Sequence, residues 1–158
     1  MATTIRGDDN FDTGVNGRVL GVTTYTNSTR QALSSAASIV MASFVVDKLS
    51  STSKLVISGS ISGDTNNSGS MQQGWKFGAG VEVNAQALMY EATNNSKCFP
   101  TSAIISGHTI TGTQTMVFRF YTGNGVAALP FITYNPNSSD DGRNGQTSSV
   151  FTVTEVEA

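Results

Sequence analysis

Apolar residues recur along this chain at every second position in a series of short runs. That is the period of strands with one face toward a core. The clearest run is Thr113–Tyr121. Met116, Phe118 and Phe120 share one side, and Val117, Arg119 and Tyr121 share the other. It is the most aromatic stretch of the chain and is predicted to be a central strand, with the others assembled on its Met/Phe face. Arg18–Tyr25 is the first strand. Ser38–Asp47 is apolar on both faces, with Val40, Ala42, Phe44 and Val46 on one and Ile39, Met41 and Val45 on the other. A strand of that kind has both faces covered, the second by a subunit interface. Lys54–Ile61 alternates, with Leu55, Ile57 and Ile61 inward. Ser62–Gln73 reads as a long polar loop. Trp75–Tyr90 reads as one long bent strand or two strands, with Gly78 and Gly80 marking a bulge or a close backbone approach. Asn94–Thr101 reads as a loop closed by Pro100. Ala103–Thr111 and Gln114–Tyr121 are predicted to form a hairpin turning at Gly112-Thr113. Leu129–Tyr134 is a short edge strand, Asn135–Ser148 a loop, and Ser149–Glu157 the closing strand.

Seven or eight strands separated by turn signals predict an all-β, antiparallel β-sandwich or barrel. The chain has 158 residues, the length of one domain. Met1–Gly17 carries three Asp and few apolar anchors, Ile5, Phe11 and Val15. It reads as an extended arm (residues 1–17) ahead of a sandwich domain (18–158), docking on a neighbouring chain or a larger assembly. No stretch approaches the ~20 apolar residues of a membrane-spanning helix. The polar, acidic start does not resemble a signal peptide, so synthesis in a cytoplasm is expected.

Composition sharpens this picture in one respect. Only 13% of residues are charged and the net charge is −2, while Ser and Thr number 20 each. The surface is therefore polar but nearly uncharged, with no electrostatic footprint for nucleic acid. The single cysteine, Cys98, rules out an intrachain disulfide. With one histidine, His108, it also falls short of a typical structural zinc site.

Candidate chemistry is sparse. Ser106 and His108 would share a strand face, but no orienting carboxylate or oxyanion hole accompanies them. Asp64–Gly69 opens like a calcium loop, D-x-N-x-S-G, yet its twelfth position is Trp75 rather than Glu. Asp140, Asp141 and Arg143 sit in a Gly-rich turn that reads as self-neutralised. Gly123-Asn-Gly125 lacks the rest of a phosphate loop. Neither a catalytic residue, a cofactor nor a metal is expected. Aromatic rings beside polar loops suit a carbohydrate- or partner-binding surface. The candidates are Asn66, Asn67, Trp75, Tyr134, Asp140, Asp141 and Arg143, although core packing is the simpler reading of Trp75.

Four segments, taken in order, resemble a family of phage tail-fibre and tail-tip domains. Gly17–Val22 (GRVLGV) is similar to their G-K-V-L-Q-V opening strand. Thr52–Ile57 (TSKLVI) is similar to S-S-K-I-L-I, Thr115–Thr122 (TMVFRFYT) to T-Y-x-V-R-F-x-S, and Phe151–Val156 (FTVTEV) to L-T-V-M-E-I. IRGDDNFDTG also resembles the start of small phage structural proteins. Gly21 and Thr154 depart from the family's usual Gln and Met, and Ile61–Thr113 shows no match. The resemblance implies a jelly-roll sandwich, homotrimeric and located on a virion, that adsorbs to a host-surface glycan or protein by multivalent contact. It implies assembly with other virion proteins through Ile5, Phe11 and Val15 of the arm. It implies no enzyme activity, no nucleic-acid partner and no membrane insertion. Val117, Arg119 and Tyr121 become subunit-interface candidates, with Glu155 or Glu157 as the partner of Arg119. Capsid decoration or a head fibre is the alternative on the same fold. A free carbohydrate-binding module is the second alternative.

Overall fold

The computed structural model describes residues 3–5, 17–27, 38–65, 69–90, 95–122, 131–132 and 148–157. The strands among them are β1 (Thr3–Ile5), β2 (Val19–Asn27), β3 (Ser38–Lys48), β4 (Lys54–Thr65) and β5 (Gly69–Phe77), then β6 (Val83–Tyr90), β7 (Asn95–Ile105), β8 (Gly112–Thr122), β9 (Phe131–Ile132) and β10 (Ser149–Val156). The protein is an all-β sandwich of two antiparallel sheets. One sheet runs β1-β2-β10-β4-β7 and the other β3-β8-β5-β6. The two-residue β9 pairs with β4 at Gly63 and Asp64, where β7 holds the other side of β4. It thus continues the line of β10, whose pairing with β4 starts at Ser60.

Without β1 and β9, the order is β2-β10-β4-β7 over β3-β8-β5-β6. Successive strands of this set change sheet at every connection except the β5–β6 hairpin. Eight strands wound in this way make a jelly roll.

The core lies where the two inner faces meet. Met116, Phe118 and Phe120 of β8 are buried, as their alternation predicts. Leu55, Ile57 and Ile61 of β4 and Phe151 and Val153 of β10 face them from the other sheet. Phe151 stands 5.3 Å from the Trp75 ring, edge to face, and 5.3 Å from Phe118. Phe44 stacks on Tyr25 at 4.6 Å. The core is therefore one aromatic cluster drawn from both sheets.

Several sequence expectations are corrected. The expected loop Ser62–Gln73 is strand on both sides of residues 66–68, because the β7, β8 and β9 ladders hold its backbone without apolar side chains. Asp64 accordingly sits in a ladder rather than at the start of a calcium loop. The expected loop Asn94–Thr101 is largely β7, with Pro100 paired opposite Ser60. Its missing N–H is tolerated because β7 ends its sheet. Ala103–Thr111 and Gln114–Tyr121 are not a hairpin. The strand stops at Ile105, and the chain crosses to the other sheet before β8 begins. Ser106 and His108 lie in that crossing. Of the two alternatives for Trp75–Tyr90, two strands is the one observed. Gly78 and Gly80 lie in the turn between them and mark a close approach rather than a bulge, since a Cβ on Gly80 would overlap the His108 ring, and the register shift falls at Gln72–Gly74.

β3 differs more subtly. Its register with β8 shifts between Val40 and Ala42. The extra residue turns Met41 into the core and leaves Val40 outside, reversing the alternation expected for both. Among the described side chains, the outer face of β3 is Val40, Ser43, Val45 and Asp47. In this chain that face is uncovered, with Val40 43% and Val45 55% exposed.

Phe151→Ala is expected to destabilise the domain by about 3–5 kcal/mol, since it empties the contact between the sheets. Val45→Ala on the exposed face should change stability by no more than about 0.5 kcal/mol. Chemical denaturation of the two variants checks both values.

Candidate functional site

Two arrangements of polar side chains stand out, one buried at an end of the sandwich and one on an outer face. The buried one is built on alternation. Glu155 is in phase with Phe151 and Val153, and Lys48 is in phase with Phe44 and Val46, so both charges are carried inward. Glu155 is 2% exposed and Lys48 1%. The Glu155 carboxylate accepts from the Leu49 N–H at 2.9 Å through Oε2 and from the Ser50 N–H at 2.9 Å through Oε1. The Ser53 hydroxyl also reaches it. Lys48 Nζ donates to the Ser50 carbonyl, and to the His108 carbonyl at 3.1 Å. Burial lowers the Lys48 pKa from its ordinary value, against the opposing pull of the Glu155 charge. The small recess beside Glu155, lined by Gly21, Thr23, Leu49 and Val153, offers that carboxylate's occupied lone pairs rather than free ones. The cluster pins the β3–β4 connection and the β7–β8 crossing to the end of β10, which is a structural task.

The outer arrangement lies on the sheet β3-β8-β5-β6. Val117, Arg119 and Tyr121 alternate outward along β8 and are half-buried. Glu82, in the β5–β6 turn, reaches over β5 to meet them. Arg119 Nη1 lies 3.2 Å from Glu82 Oε2, and the Tyr121 hydroxyl donates to Glu82 Oε1. Gly74 makes this possible. It pairs opposite Arg119, and a Cβ there would overlap the Glu82 carboxylate and touch the Tyr121 ring. Burial raises the Tyr121 pKa, and the hydrogen bond to Glu82 adds to the rise while Arg119 opposes it. On the β3 side of this cluster, Val40 is paired opposite Arg119 and Val45 opposite Thr115, beside Val117 opposite Ser43. The result is a valine patch edged by a self-satisfied Glu–Arg–Tyr triplet. Such a surface has the chemistry of a protein contact, an apolar centre with a polar rim.

The expected partner of Arg119 is corrected. Glu155 is buried at the end of the other sheet, and Glu157 lies 3.6 Å from Arg18. Both belong to the strand line of β10, whose sheet faces away from Arg119. Glu82 was missed because nothing in its local sequence shows that a turn will fold it back across a glycine. The inward placement of Lys48 and Glu155 was missed too, although both are in phase with inward aromatic and aliphatic residues and must be paired or bonded once buried.

Trp75 is no surface aromatic. It is fully buried, and its indole N–H donates to Thr101 Oγ1 at 3.0 Å across the two sheets. Asn66, Asn67, Tyr134, Asp140, Asp141 and Arg143, and Phe11 and Val15 of the arm, lie outside the described residues. Ile5 pairs opposite Val22 as the last residue of β1. His108 lies edge-on to Phe77 at 6.2 Å. Among the described residues no group of three or more His, Cys, Asp or Glu is placed to hold a metal ion.

Neither a protein-family model nor a curated protein matches the sequence. Among solved structures, the chain is similar to VP2 of an infectious bursal disease virus subviral particle, with 15% identity, a TM-score of 0.48, and coverage of 99% of this chain and 51% of that one. It is also similar to a chain of the Gx strain of that virus, with 13% identity, a TM-score of 0.46, and coverage of 86% and 32%. The chain spans about half the length of the first and a third of the second.

Glu155→Ala is expected to cost about 3 kcal/mol or more, because it strands buried N–H donors of the β3–β4 connection. Denaturant midpoints test this. A raised Tyr121 pKa means that the folded protein keeps a proton the unfolded chain has lost. Stability conferred by Tyr121 is then complete below pH 10 and falls as pH rises from 10 through the folded value. Tyr121→Phe should abolish that alkaline loss, read as the difference between the stability profiles of the two proteins.

Proposed function

We propose that this chain is a virion structural protein, a jelly-roll domain of a phage tail fibre or tail tip that assembles as a homotrimer and adsorbs to the host surface. The observation that carries the proposal is the exposed valine patch of β3 and β8, on a protein with few charges. Val40 and Val45, both on β3, are about half exposed, and Val117 of the adjacent β8 lies opposite Ser43, between them along the strand. A sheet face of that kind favours a second copy over solvent. The jelly-roll strand order and the four family-like segments support the same reading; two of those segments lie within β8 and β10, and the other two overlap β2 and β4 by their last four residues. The proposed role is binding rather than catalysis. Adsorption would rest on avidity. Three modest sites on one trimer, and many trimers on one particle, raise apparent affinity without a deep pocket. The proposed contact residues are those of the 66–67 and 134–143 connections, with Val117, Arg119 and Tyr121 at the subunit boundary.

Light scattering of the purified chain is expected to give three times the chain mass. Val45→Asp should lower it to one chain mass, with the thermal midpoint changed by only a few degrees. A wild-type monomer would overturn the trimer. Imaging of particles labelled on this protein should place the label on the tail. Label over the head surface would instead favour decoration of the capsid.

A further inference from the structure

The arm begins with a strand, and three observations converge on where that strand goes. First, β1 pairs antiparallel on the free edge of β2, Thr3 opposite Thr24 and Ile5 opposite Val22. Second, the arm is fixed at its other end. Gly17 packs so closely on the end of β10 that a Cβ would overlap Val156 and lie 2.7 Å from the Glu157 carbonyl, and the Glu157 N–H donates to the Arg18 carbonyl at 2.8 Å. Third, β2 and β3 lie on the same side of the sandwich. Asn27 of β2 donates to the Met41 carbonyl of β3 at 3.2 Å, and Tyr25 stacks on Phe44. The root of the arm, the edge that receives β1 and the exposed Val40 and Val45 of β3 therefore share one flank of the molecule.

We propose that β1 is exchanged between copies, each arm adding its strand to the β2 edge of the neighbour that covers Val40 and Val45. The inference rests on the oligomeric reading above and names the device that closes it. The three-residue ladder is the same whether β1 lies on its own chain or on a neighbour. Made on a neighbour, it comes with burial of the valine patch and ties two copies together. The tether, residues 6–16, suffices, since eleven residues span up to roughly 35 Å. Exchange of an identical element needs no new surface chemistry, because the receiving edge is already shaped for β1.

Disulfide trapping separates the two arrangements. Residues directly opposite in an antiparallel pair lie within disulfide reach. In a Cys98→Ser background, a Thr3→Cys chain and a size-tagged Thr24→Cys chain are refolded together and oxidised. The expected product on a non-reducing gel is a covalent pair of one chain of each kind. The doubly substituted chain should give covalent multimers. Removing residues 1–16 should raise the concentration for half-assembly about tenfold or more. The proposal is overturned if the doubly substituted chain closes only on itself and the mixture gives no joined product. It is equally overturned if nothing cross-links, since β1 would then not sit on β2. Light scattering of the same samples tells which reading has failed. A multimer with only intrachain cross-links sinks the exchange alone. A monomer sinks the oligomer as well.

Discussion

The two sheets are held together by one ring. Phe151 is central to its sheet, on β10 between β2 and β4, and its side chain meets Tyr25, Phe44, Trp75 and Phe118. These four partners come from four different strands, β2, β3, β5 and β8. The strand that carries Phe151 is the last in the chain. Until β10 is in place, β2 and β4 have no common neighbour and the aromatic face of β8 has no lid. The core therefore closes through contacts of very long sequence separation, the slow kind in folding. Trp75 depends on the same closure. Its indole N–H crosses to Thr101 on the opposite sheet, a bond that exists only once the sheets are stacked.

Polar groups that enter this core find partners at its margins, though not for every atom. Gln73 is buried in phase with Trp75 and donates through Nε2 to the Pro100 carbonyl at 3.0 Å, again joining the two sheets, while its Oε1 meets no donor among the described residues. Glu155 and Lys48 act at the far end of β10 and β3. Each satisfies backbone groups of a connection that changes sheet, where no ladder can do so. The jelly roll has many such connections, and the alternation that brings these charges inward also puts them where the connections need partners. The sequence pattern and the topology are linked at that point.

Much of the fold was legible because β10 reads as the closing strand and period-two alternation survives in β4 and β8, where Leu55 and Phe118 fall inward as read. It was illegible where alternation fails or misleads. The register shift at Val40–Ala42 exchanges the faces of Val40 and Met41, and no local residue announces it. β7 hides because Pro100 reads as a loop unless one knows that the strand is at an edge. The apparent hairpin at Gly112 fails because whether a turn returns to its own sheet or crosses to the other is decided by the core, not by the turn. On the outer face, Val117, Arg119 and Tyr121 were read outward correctly. Glu82 was not legible as their partner, since it reaches them only through the gap left by Gly74 on an intervening strand.

The flanks of the sandwich are not equivalent. At the β7 edge, Pro100 interrupts the row of donors, so that edge resists extension by another strand. On the other flank, the same sheet already extends past β2 through β1, and β3 presents valines to solvent. The outer face between the flanks is mixed. Its register row Thr24, Thr152, Ser58 and Ser102 is a line of hydroxyls, suited to water, but the next row, Val22, Thr154, Val56 and Ile104, leaves Val56 and Ile104 exposed. A protein that keeps its surface soluble with hydroxyls rather than charges has few means of repelling a second copy. It must restrict association by geometry instead. Blunting the β7 edge with a proline, while the β2 edge carries β1, does so at both ends of the sheet.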